Sequence, residues 1–173
     1  WRAVQEHVFW AGIVQLHPES RGWVTLKSAD PRAVASVTLN VMAEEADREQ
    51  MRRAIRTARH IYTTAPMGDL VGAERAPSVG AESDAELDAL IRATCYVAQH
   101  PTSTCAMGMG ERSVLDAECR VIGVEGLRVI DASAMPTVPG GNTNLPVIML
   151  AEKAADLIKG HSLPAAELPR EAA

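Results

Sequence analysis

The sequence has no run of 18 consecutive apolar residues, so no transmembrane helix is expected. No basic segment followed by an apolar stretch marks a signal peptide. It also lacks an excess of positive charge: 17 Lys and Arg stand against 22 Asp and Glu, a net charge of −5. That balance argues against nucleic acid or an anionic membrane as the main partner. Cysteine is sparse. Cys95, Cys105 and Cys119 are odd in number and none has the Cys-x-x-Cys spacing, so neither a disulfide framework nor a zinc site is expected. Buried or half-buried free thiols are the expectation. They suit a reducing compartment, and a cytoplasmic location is expected. No two histidines lie four apart on one helix, so no metal site of that kind is expected. A Gly-x-Gly-x-x-Gly phosphate loop is missing too. Met107-Gly108-Met109-Gly110 lacks the third glycine, follows no convincing strand and opens no helix. The first residue is Trp1 rather than Met, which fits a chain that was processed, trimmed or taken from inside a longer polypeptide.

What is present is ordinary globular material, 47% hydrophobic and 23% charged over 173 residues. The length suits about one domain, able to bury roughly two-thirds of its unfolded surface. Residues 7–16 and 23–26 read as strands joined by the turn cluster Pro18-Glu19-Ser20-Arg21-Gly22. A third strand is expected at 35–41, with Val37, Leu39 and Val41 on one face and Ser36, Thr38 and Asn40 on the other. From 44 to 63 the period lengthens. Met51, Ala54, Ile55, Ala58 and Ile61 make one face of an amphipathic helix whose arginines form a solvated, ion-paired surface. Residues 66–82 read as a surface loop. Ser83-Asp84-Ala85-Glu86 is a capping box that opens a second helix through about 97. Short apolar pieces follow at 114–123 and 127–130. Asn142-Thr143-Asn144-Leu145-Pro146 then starts a last helix, with Pro146 at or near its first turn; its apolar face is Val147, Leu150, Ala151, Ala154, Ala155 and Ile158, and it ends at Gly160.

The chemistry concentrates around His100. Pro101 keeps His100 out of the helical region, and Thr102, Ser103, Thr104 and Cys105 follow in a loop of small and hydroxyl residues. A histidine there can serve as a general base near neutral pH. On the residues alone, a hydrogen-bonded loop histidine is the commoner explanation. A Cys105–His100 nucleophile pair has the spacing but no accompanying oxyanion motif.

Four separated motifs carry a family resemblance. They are His100-Pro101-x-x-Thr104-Cys105-x-Met107-Gly108; Gly126-Leu127-Arg128-Val129-Ile130-Asp131-Ala132-Ser133-x-Met135-Pro136; Gly141-Asn142-Thr143-Asn144-x-Pro146; and Ala151-Glu152-Lys153-Ala154-Ala155-Asp156-Leu157-Ile158. Upstream, Pro18-x-Ser20-Arg21-Gly22 and Asn40 agree. Over roughly residues 10 to 160 the chain resembles the C-terminal part of the glucose–methanol–choline (GMC) flavin oxidoreductases, choline dehydrogenase-like. It departs at Ala35, where the family often has Pro, and at Val41, where it often has an aromatic residue. Thr102 and Ser103 stand where Val/Ala-Gly is commoner.

The resemblance implies an α+β fold. Residues 1–108 would be a substrate-binding portion, a mainly antiparallel sheet with helices, ending in the histidine loop. Residues 109–162 would contribute a strand (127–130) and a helix to a Rossmann-type FAD domain, and 163–173 would be a tail. It implies FAD as cofactor and a small-molecule alcohol as substrate. His100 would remove the alcohol proton, and the Asn142 amide would donate a hydrogen bond to the developing alkoxide. On the residues alone, Asn142 is as well explained as a turn or cap residue. Asp131, Ala132, Thr143 and Asn144 would approach the cofactor. The missing glycine loop implies an N-terminal FAD-binding half, expected on a second polypeptide. A lyase with FAD in a non-redox role, or a non-catalytic subunit of the same fold, are the alternatives.

Overall fold

The computed structural model describes residues 7–161. The expected tail at 163–173 lies outside the described residues. The chain divides into two compact units, with the boundary between Ala98 and Gln99. The histidine loop therefore belongs to the second unit, ahead of the 108/109 division that the motifs suggested.

In the first unit, β1 (Trp23–Thr25) pairs antiparallel with β2 (Ser36–Thr38), Trp23 opposite Thr38 and Val24 opposite Val37. Gly22 precedes β1 because a Cβ there would lie 2.2 Å from the Thr38 carbonyl oxygen. The Asn40 amide donates to the Arg21 carbonyl at 2.9 Å and closes the same corner. The mainly antiparallel sheet that the resemblance implied is, among the described residues, two three-residue strands. Its apolar face is uncovered among the described residues: Val37 is 62% exposed, whereas Ser36 and Thr38 are half-buried.

Residues 7–16 are not a strand, which corrects the expectation from their composition. A strand needs a neighbouring strand, and here the neighbour is a helix. α1 (Glu45–Thr63) runs alongside. Gln15 donates to Asp47 and Gln50, both at 2.7 Å, while Phe9 meets Tyr62 edge-on at 5.1 Å. Six extended residues reach about 20 Å, and so does the helix between those contacts at about 1.5 Å per residue. The segment is extended because it is stretched antiparallel along α1.

The buried side chains of α1 are polar. Asp47 is 1% exposed. Its Oδ1 accepts from the Glu19 amide at 2.8 Å and its Oδ2 from the Ser20 amide at 2.7 Å, so one carboxylate clamps the 18–22 turn to the helix. Burial pushes this carboxyl up. Hydrogen bonds from Ser20, Glu19 and Gln15 outweigh burial and hold it below the usual aspartate range. Arg52 was expected on a solvated face. It is ion-paired but not solvated: its side chain is 8% exposed, held by Glu45 at 2.6 Å and Asp88 at 2.7 Å. Asp88 belongs to α2 (Asp84–Thr94), which buries Leu87 and Ile91. The capping box forms as read: the Glu86 amide donates to Ser83 Oγ, and Glu86 accepts from the Ser83 amide. The helix ends at Thr94, somewhat before the expected 97.

In the second unit, residues 114–130 make single bridges rather than strands: Leu115 with Met107 and Val121, and Arg120 with Arg128. The strand expected at 127–130 is corrected accordingly. Its ladder bonds, Val121 N–H to Leu127 O and Val129 N–H to Cys119 O, go to one short neighbour only. Leu115, Cys119, Ala134, Met135 and Ala154 form the core. The thiols are buried at Cys119 and half-buried at Cys95 and Cys105, as expected. Desolvation pushes the Cys119 thiol up. α3 (Asn144–Lys159) ends at Gly160, whose φ of 73° is the left-handed stop read from the sequence. Its apolar face is only partly covered: Ala154 is buried and Ile158 is 59% exposed. No helix among the described residues is long and apolar enough to cross a membrane.

The Asp47 clamp is testable by amide exchange in the intact protein. Asp47→Asn should weaken protection at Glu19 and Ser20 by about 1.5–3 kcal/mol, the scale of hydrogen bonds to a charged group. In the parent, the folded carboxyl titrates below the unfolded one. Its contribution is therefore complete above the ordinary aspartate pKa and is lost as pH falls through the depressed value.

Candidate functional site

The site lies in the second unit and is built on a loop held from two sides. Ser103, Cys105 and Met107 donate backbone N–H bonds to the carbonyls of Ala132, Ser133 and Ala134 at 3.3, 3.0 and 3.0 Å. Alternate amides of the loop thus meet successive carbonyls of the 3-10 turn Ala132–Ala134. On the other side, Val114 and Leu115 donate to the Ala106 carbonyl, and Gly108 donates to Leu115.

His100 opens this loop and is half-buried. Its Nδ1 lies 2.9 Å from the Thr143 hydroxyl, across 43 residues of chain. Thr143 is buried and stands at the N-cap of α3, yet its side chain makes no cap bond. Asn142, the preceding residue, is exposed and its side chain makes no hydrogen bond among the described residues. His100, Asn142 and Thr143 were each singled out from the sequence. The structure joins His100 to Thr143 and sets Asn142 beside that pair in the chain. The side-chain role of Thr143 was missed, because a threonine before a helix is an ordinary cap and carries no further signal.

Asp131 and Ala132 sit where the 127–130 segment ends. The Asp131 carboxylate turns back onto the Ser133 amide at 2.7 Å and onto the Ser133 hydroxyl. The Ala132 carbonyl is taken by Ser103 and Met135. The amides of Asp131 and Ala132 find no acceptor among the described residues, nor do those of Asn144 and Leu145 at the start of α3. These are donors that an anionic or acceptor-rich group could use, and the helix start adds a positive dipole end. Among the described residues, no three His, Cys, Asp or Glu side chains cluster as a metal site requires. A cleft of about 420 Å³ in the first unit, lined by His60, Ile61, Met67 and Leu70 among others, brings together no such constellation.

Ser103 has φ of 71°, in the left-handed region that disfavours side chains. Ser103→Gly should be neutral to stabilising by up to about 1 kcal/mol, since the relieved strain exceeds or matches the added unfolded-state entropy. Ser103→Val should destabilise by more than about 1 kcal/mol, because a β-branched residue resists this conformation. Exchange protection of the Cys105 and Met107 amides reads both.

Comparison with known proteins supplies the context for this geometry. The family model described as GMC oxidoreductase matches residues 18–151. The chain is 46% identical over 167 residues to the oxygen-dependent choline dehydrogenase of Chromohalobacter salexigens, covering 96% of this chain and 30% of that protein. It superposes on pyridoxine 4-oxidase from Mesorbium loti with a TM-score of 0.78 and 30% identity, over 86% of this chain and 29% of that one. It superposes on a formate oxidase of Aspergillus oryzae RIB40, characterised for modification of its FAD, with a TM-score of 0.75 and 34% identity, over 80% of this chain and 24% of that one. The chain spans about 30% of the length of the curated relatives it matches. With more than half its residues under one family model and its fold shared with two solved oxidases, the chain belongs to the GMC oxidoreductase family, of which it carries the C-terminal region.

Proposed function

We propose that this chain is the catalytic C-terminal part of an FAD-dependent oxidoreductase that oxidises an alcohol. The observation that carries the reading is the His100–Thr143 bond. It engages Nδ1, and with the ring proton on that nitrogen Nε2 takes a proton from a substrate hydroxyl. The free amides of Asp131, Ala132, Asn144 and Leu145 fit a cofactor rich in phosphate and carbonyl acceptors. Bound FAD would supply the hydride acceptor. Thr143 and Asn144 would approach it largely through backbone, and Asp131 and Ala132 would approach its phosphate–ribityl region.

His100 is the base that withdraws the hydroxyl proton. Asn142 is the amide donor to the alkoxide that develops as the carbinol hydride leaves. An amide does not titrate, so it stabilises that charge without competing for the proton. Its exposed, unpartnered side chain is available for this role. Choline is the first alcohol to test, given the relatives named choline dehydrogenase.

The FAD-binding half with the Gly-x-Gly-x-x-Gly loop is the partner this reading needs. The curated relatives hold the matching segment within one longer chain. The sequence expectation put that half on a second polypeptide, and intact masses of the purified flavoprotein decide between the two. The exposed Val37, Val24, Ile148 and Ile158 are apolar surface for such an association.

In the flavin-loaded protein, His100→Ala should slow alcohol-driven bleaching near 450 nm by roughly 100-fold or more. An unchanged rate would remove His100 from the role. No bleaching in the parent with any alcohol would favour the lyase alternative. Asn142→Ala should keep its flavin and lose about 2–4 kcal/mol of transition-state stabilisation. Normal turnover per bound flavin, with flavin partly lost, would make Asn142 a structural cap instead.

A further inference from the structure

Thr143 presents an economy that its position does not explain. A threonine at an N-cap ordinarily accepts a hydrogen bond from the second or third helical amide. Here the Thr143 backbone is helical, at φ −78° and ψ −12°, and its hydroxyl caps nothing. The Thr143 carbonyl still accepts the Val147 amide at 2.9 Å, so the helix is properly started. The buried hydroxyl is directed to His100 Nδ1.

We propose that Thr143 is a positioning residue that holds His100 in the tautomer protonated at Nδ1. The inference rests on His100 as the base. Two proton arrangements satisfy the 2.9 Å contact. In one, the hydroxyl donates to Nδ1, the ring proton sits on Nε2, and no free nitrogen lone pair remains for substrate. In the other, Nδ1–H donates to the hydroxyl oxygen and Nε2 is free. Only the second serves a base. It also survives the reaction step unchanged: when Nε2 gains a proton, Nδ1–H goes on donating to the same oxygen. A hydroxyl that accepts in both ring states requires no reorganisation as charge develops.

Thr143 differs from a carboxylate partner in one respect. A hydroxyl cannot take up the proton or carry a counter-charge, so it sets orientation and tautomer alone. Its removal should then have a moderate effect. The rigid 103–107 ladder fixes the loop after His100, and the ring torsion is what remains for Thr143 to fix.

The test uses the flavin-loaded protein with Thr143→Val, which keeps the shape, and Thr143→Ser, which keeps the hydroxyl. Both should hold FAD with the parent's visible spectrum. Thr143→Val should reduce its flavin roughly 10-fold more slowly at saturating alcohol, and Thr143→Ser should restore most of the rate. With ¹⁵N-labelled histidine, the neutral His100 ring should show Nδ1–H in the parent and in Thr143→Ser, and should shift toward Nε2–H in Thr143→Val. A parent-like nitrogen spectrum in Thr143→Val overturns the proposal. Equal slowing by Val and Ser does so as well, since packing would then explain the effect. If His100→Ala keeps the parent rate, the base reading falls by itself, and the nitrogen spectrum still decides whether Thr143 sets the tautomer.

Discussion

The second unit depends on three backbone bonds, from the amides of Ser103, Cys105 and Met107 to the carbonyls of Ala132, Ser133 and Ala134. Without them, residues 100–108 would be a loop of small and hydroxyl residues with many accessible conformations. With them, the loop is tied to the turn that follows the 127–130 segment. The positive φ of Ser103 shows that the arrangement is costly locally and is maintained by its neighbours. Leu115 and Ala134, both fully buried, pack beneath it. The His100–Thr143 contact is then a bond between two anchored elements, a fixed loop and a helix start.

The first unit is organised by a different device. Its well-buried side chains include a carboxylate and a guanidinium, Asp47 and Arg52, each satisfied by several partners. Asp47 gathers the 15–20 segment, and Arg52 joins α1 to α2. Apolar groups of the same unit remain outside: Trp10, Leu26 and Val34 are 79%, 86% and 81% exposed. The chain spans about 30% of the length of its curated relatives. Polar clamps suit this situation, because their geometry is specified by partners within the unit and does not require a complete apolar core.

Some features were legible because they are local. The Ser83–Glu86 capping box, the α1 period, the Gly160 stop and the loop character of 66–82 each depend on residues a few positions apart. The 7–16 segment and the 127–130 strand were misread for one reason. A strand is defined by what lies beside it, and composition says nothing about the neighbour. The strand expected at 35–41 was legible in kind but not in length or burial, since β2 covers only Ser36–Thr38 and its apolar Val37 is exposed.

For the site, the motifs determined which residues to consider: His100 by its exit from a helix into Pro101, and Asn142, Thr143 and Asn144 by their place before an apolar helix. Tertiary structure alone decided which of them touch. The Thr143 hydroxyl meets the His100 ring and caps no α3 amide, a pairing the local sequence does not specify. The chain has to fold across 43 residues before His100 is within 2.9 Å of it. Sequence determines the inventory of donors and acceptors, whereas the partner each one takes is set by distances that exist only once the loop is pinned.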